Sequence, residues 1–158
     1  MKEWGYDPEN GIDTHLIYLA KQANKEVMEI ESLEFQFNLL GSFSDTIQAI
    51  QLKSTLEDIE SAEDTMKKMF NAWETGDTKA MEEIMLNKPE NLTDIEKESY
   101  REYEKLLFDD RNNSMTEKAE EYLKSNKTVF FVVGSGHMIG DTGIVNQLIN
   151  KGYRVKQK

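Results

Sequence analysis

The sequence predicts a helix-rich α/β protein, with a small, mostly parallel sheet built from the two ends of the chain and a long all-helical insertion between them. Three observations point there. Residues 129–133, Val129-Phe130-Phe131-Val132-Val133, are continuously apolar and rich in β-formers. That is the pattern of a strand buried on both faces of a helix-covered sheet. The run leads into a glycine-rich loop, a helix and a second short apolar stretch, the order of a right-handed parallel crossover. Residues 44–124, by contrast, show helical spacing punctuated by turn residues. The expected organisation is one domain, with 1–43 and 125–158 as the α/β core and 44–124 as the helical insertion. A chain of 158 residues is long enough to bury a real core.

The elements follow in order. Residues 1–10, with Trp4, Tyr6 and Pro8, read as a polar loop entering a helix capped by Asn10 or Asp13. Ile12, Leu16, Leu19, Ala20 and Ala23 recur at helical spacing, so 12–24 is the first helix. Val27, Met28 and Ile30 mark a short strand over 25–30, ending at Glu31 and Ser32. Ser32 is placed to cap a second helix carrying Leu33, Phe35, Phe37, Leu39 and Leu40, and Gly41 ends it. Ser44 opens an amphipathic helix of about 30 residues. Its stripe of Leu52, Leu56, Ile59, Met66, Phe70 and Trp73 is expected to pack as core, and Gly76-Asp77 stops it. A shorter acidic helix, 78–86, precedes a loop with Pro89. Thr93 and Glu96 form a capping box for a helix through Leu107, and another helix spans 113–125. After the 129–133 strand and its loop, 142–151 is helical, Gly152 breaks it, and 153–155 is the last strand.

Charge and composition exclude several functions. Acidic residues outnumber basic ones 30 to 19, for a net charge of −11. Phosphate backbones need a Lys/Arg face, so nucleic acid is disfavoured. Lys151, Arg154, Lys156 and Lys158 read as a solvated C-terminus. Without cysteine there is no disulfide, thiolate metal site or thiol nucleophile. No apolar run approaches the ~18 residues that span a bilayer, so no membrane segment is expected. The compartment is not legible.

The residues that could carry chemistry gather at predicted strand ends, where open α/β sheets bind ligands. Gly134, Ser135, Gly136 and His137 form such a loop. Gly134 and Gly136 would let backbone approach a ligand or cofactor closely, and His137 can bind a metal or move a proton. Glu31 ends the 25–30 strand. Glutamate with histidine makes a hard-metal pair or a general-base pair, and the plainer reading of Glu31 is a helix cap. Arg111 follows Asp109 and Asp110. It reads either as their surface partner or as a clamp for developing negative charge. His15, on the first helix, reads as a partly buried structural histidine. Ser32 and Ser135 lack the G-x-S-x-G elbow of serine hydrolases.

The block from Val129 through His137-Met138-Ile139-Gly140 to Lys151-Gly152-Tyr153-Arg154-Val155 closely resembles the C-terminal signature of the TraB/GumN family. Asp109-Asp110-Arg111-Asn112 with Met115 resembles that family's Arg-Asn stretch. Gly11-Ile12-Asp13 and Glu29-Ile30-Glu31-Ser32 resemble its middle segment. The resemblance implies a hydrolase akin to the TIKI metal-dependent proteases, which use manganese or cobalt. It implies His137 as the histidine of a second G-x-x-H motif and metal ligand, Glu31 as ligand or base, and Arg111 as the site arginine. The family's first G-x-x-H motif is absent, since Ile12, not glycine, stands three before His15. The expectation is therefore a metal-dependent, peptidase-like hydrolase whose site is incomplete in this chain alone. The alternative is a non-catalytic binding module using the acidic helical insertion. A peptide substrate and a homodimer or swapped oligomer are the expected partners. Family members are often exported or membrane-attached, although no such signal shows in this chain.

Overall fold

Helix caps set most of the element boundaries. The computed structural model describes Gly5 and residues 7–158, so Trp4 and Tyr6 lie outside it. The chain divides into two units, Met1–Ser32 and Leu33–Lys158.

In the first unit, a 3-10 turn (Pro8–Asn10) precedes α1 (Ile12–Gln22). Asn24, at φ 51°, ends that helix. The Lys25 N–H donates to the Ala20 carbonyl at 2.8 Å and the Asn24 N–H to the Lys21 carbonyl at 3.1 Å. This is the Schellman arrangement, with asparagine in place of the usual glycine. Beyond it, residues 25–29 carry no regular structure, so the expected strand is not formed. His15 is exposed rather than partly buried.

The second unit runs α2 (Leu33–Gly41), α3 (Asp45–Asp58), α4 (Ala62–Thr75), α5 (Thr78–Met85), α6 (Asp94–Glu104), a π-helical segment (Lys105–Asp109), α7 (Asp110–Leu123), α8 (Ser135–Met138) and α9 (Ile144–Asn150). Ser44 caps α3 by accepting from the Ile47 N–H at 3.3 Å, and Asp77 caps α5 by accepting from the Ala80 N–H at 3.0 Å. Thr93 and Glu96 close the expected capping box on α6. Gly76, at φ 68°, ends α4, with the Asp77 N–H donating to the Ala72 carbonyl at 2.8 Å.

The long helix expected from Ser44 to Gly76 is broken in two at residues 59–61. The Ser61 hydroxyl and N–H both turn back on the Asp58 carbonyl, at 3.1 and 3.0 Å, diverting it from the helical ladder. The stripe expected as core is largely open: Leu52, Leu56, Ile59 and Trp73 are 62%, 61%, 62% and 55% exposed. Ile47 and Ile50 are the buried residues of α3, which packs on α6.

The α/β prediction fails. Among the described residues there are helices and no strand, hence no parallel sheet at the chain ends. Residues 128–133 have the composition of a strand but form no ladder. A strand exists only by pairing with a neighbour, and among the described residues none pairs with it. Phe130 is 77% exposed, and only Phe131 and Val133 are half-covered, Phe131 by the ring of Tyr122 at 6.3 Å. Residues 153–155 do not supply the missing partner. The Tyr153 N–H instead closes α9 on the Leu148 carbonyl at 3.0 Å, after Gly152 at φ 90°.

The best-covered face of the second unit belongs to α7. Asn112, Met115, Thr116 and Ala119 are buried there, at positions i, i+3, i+4 and i+7 of one helix. α7 packs on α9, whose Ile144 is 1% exposed. Among the described residues no helix is long and apolar enough to cross a membrane.

Candidate functional site

Helices α6 and α7 are joined through the π segment without a break. The Asp110 N–H reaches back five residues to the Lys105 carbonyl. Such bulges are frequent at functional sites, because they re-aim the side chains that follow. Here the Arg111 guanidinium donates through Nη1 to the Leu107 carbonyl, inside the π segment, at 3.1 Å. Phe108, in the same segment, turns its ring towards the 135–138 turn.

That turn is α8, only four residues long. It opens after Gly134, and the His137 N–H donates to the Gly134 carbonyl at 3.0 Å. His137 is half-buried. Its Nδ1 lies 2.7 Å from Asn112 Oδ1, and its ring is tilted against Phe108, centroids 5.7 Å apart. Asn112, 1% exposed, donates through Nδ2 to the Thr142 carbonyl at 3.1 Å. Gln147 donates to the same carbonyl at 2.8 Å and to Asn113 Oδ1 at 3.0 Å. A polar network thus ties the head of α7 to the start of α9 and reaches the imidazole.

Packing explains two glycines around this network. A Cβ on Gly136 would stand 3.2 Å from both Met85 Cε and Phe108 Cε1. A Cβ on Gly143 would stand 2.2 Å from the Ile139 carbonyl oxygen, which no side chain tolerates. Gly134 is different. Its φ is −58°, and an added Cβ would meet only His137 Cδ2, at an ordinary 3.8 Å.

Of the residues singled out by sequence, Gly134, Gly136 and His137 come together in the second unit, and Arg111 directly precedes the asparagine that holds His137. Glu31 belongs to the first unit, half-buried at the bend that precedes Ser32. Asn112 and Phe108 were not singled out. A signal for Asn112 was present: an amide in register with Met115 and Ala119 on an apolar helix face must find buried partners. Among the described residues no group of three or more His, Cys, Asp or Glu side chains is gathered to hold a metal ion.

An imidazole pinned by a buried amide beside an arginine is a polar site built into a helical surface. The family model described as the TraB/PrgY/gumN family matches residues 1–157, and the chain belongs to that family. No curated protein and no solved structure matches.

Proposed function

We propose that the chain serves a metal-dependent, peptidase-like hydrolase activity, with His137 as its working side chain. The observation that carries this is the ordered imidazole, held at 2.7 Å by Asn112 in a member of the TraB/PrgY/gumN family. A histidine of fixed orientation is suited to take a proton from water or to offer a nitrogen to an ion. Arg111 is assigned to stabilising negative charge that develops on the substrate, and Glu31 to the role of ligand or base.

The manganese or cobalt ion implied by the resemblance meets one imidazole at this site, without a gathered set of three donor side chains among the described residues. No step is assigned to the ion. What the chain's own groups do is hold the imidazole and supply a guanidinium.

Isothermal calorimetry with manganese, cobalt and zinc tests the reading, on the chain and on His137→Ala and Glu31→Gln. The expected result is binding that weakens at least about tenfold in each variant, the scale of losing a ligand or its support. Cleavage of a peptide library that survives His137→Ala would overturn the assignment. A peptide substrate and self-association into a dimer or swapped oligomer belong to the same proposal, read by that library and by light scattering.

The second reading is a non-catalytic binding module. The exposed row of Leu52, Leu56 and Ile59 favours it, since apolar groups left open in one patch often meet a partner. It predicts no peptide cleavage by the folded chain with any of the three ions.

A further inference from the structure

We infer that Asn112 is a positioning residue that sets the tautomer of His137, placing the ring proton on Nδ1 and the lone pair on Nε2. The inference rests on the reading of His137 as the working side chain, and it is carried by the order of donors and acceptors. The Thr142 carbonyl can only accept, so the Asn112 atom 3.1 Å from it must be the amide NH2. That choice leaves Oδ1 facing the imidazole at 2.7 Å. Oδ1 also can only accept, so in the neutral ring Nδ1 must carry the proton. The amide cannot swap ends. A flip would set Oδ1 against the Thr142 oxygen, acceptor to acceptor, and leave that Oδ1 without a donor on a side chain only 1% exposed. Gln147, donating to that carbonyl from its other side at 2.8 Å, and Phe108, tilted against the ring, hold the arrangement in place.

The chemical consequence is specific. Nε2 becomes the basic nitrogen, the one able to bind an ion or accept a proton, and Nδ1 becomes a fixed donor. A ligating histidine is commonly oriented in this way by an acceptor on its other nitrogen. Asn112 does so with a neutral amide, which orients the ring without adding charge to it.

Long-range 1H–15N correlation spectra of the labelled chain, at a pH where imidazole is neutral, read the tautomer directly. The chain has two histidines, and His15→Gln assigns them. The expected spectrum shows His137 with a pyrrole-type Nδ1 and a pyridine-type Nε2, whereas exposed His15 shows the ordinary solvent mixture. In Asn112→Leu, which removes the acceptor, His137 should lose its fixed Nδ1 proton. A proton on Nε2 of His137 in the unaltered chain overturns the inference even if Asn112→Leu does not fold. An Nδ1 proton that persists in a folded Asn112→Leu also overturns it. The hydrolase reading fails separately, as absent ion binding and cleavage by a chain whose His137 still carries its proton on Nδ1.

Discussion

Two stretches of the second unit, 112–119 of α7 and 128–133, end in opposite situations. The second is the more apolar, yet the first is the one that is buried. On α7, which packs on α9, Asn112, Met115, Thr116 and Ala119 are buried. In 128–133, Phe130 and Val132 are 77% and 42% exposed. The difference lies in the backbone. A helix satisfies its own N–H and C=O groups and has only to find a surface for its side chains. An extended run needs a second strand to satisfy its backbone before it can be buried as a whole. Apolar content alone therefore ranks these stretches wrongly, and the availability of a partner decides.

The largest effect that sharpens this contrast belongs to the α7–α9 contact. Ile144→Ala removes a side chain that is 1% exposed and should cost about 2–5 kcal/mol. Denaturant unfolding of the two chains measures it. A loss below about 1 kcal/mol would mean that α9 is not the cover that α7 requires.

The same contrast explains what could be read from the sequence. Helix starts and stops are local: Ser44, Gly76, Thr93 with Glu96, and Gly152 act through a few neighbouring backbone groups, and they fall where their spacing indicates. The break between α3 and α4 was also local, but it depends on which way the Ser61 hydroxyl turns. The sheet was not legible because pairing is a long-range event, and no feature of 128–133 says whether a neighbour exists. For the site, His137 stood out as a histidine after glycines. The register of Asn112 marks it as a buried amide, but its partners, His137 and Thr142, lie 25 and 30 positions away.

An intermediate effect lies where the chain's last residues meet α7. Glu120 accepts from Lys151 Nζ at 2.6 Å and from the Tyr153 hydroxyl at 3.2 Å. The Lys151 hydrogen bond, with smaller help from Tyr153 and Lys124, holds the Glu120 carboxyl below its ordinary value of 4.5. The same bond raises the Lys151 ammonium above 10.5. A lowered acid contributes its stability in full above 4.5 and loses it as pH falls through the folded value. A raised ammonium contributes in full below 10.5 and loses it as pH rises through the folded value. The Tm gap between the unaltered chain and Glu120→Gln should therefore be flat between those limits and close on either side. A gap that persists well below the carboxylate range would show that charge is not what ties residues 151–153 to α7.

The smallest expected effect is the one that can break the comparison. Phe130 is 77% exposed, so Phe130→Ser removes little that folding has taken out of water. Its cost in denaturant unfolding should stay within about 0.5 kcal/mol, the range of an ordinary surface change. Phe131→Ser is the internal control: its ring lies 6.3 Å from Tyr122 and is half-covered, so it should cost more. If Phe130→Ser instead cost about 2 kcal/mol or more, the side chain would be covered in solution. The 128–133 run would then have a neighbour after all. Repeating the measurement at several chain concentrations would tell whether that neighbour is a second copy, because only then does the cost depend on concentration.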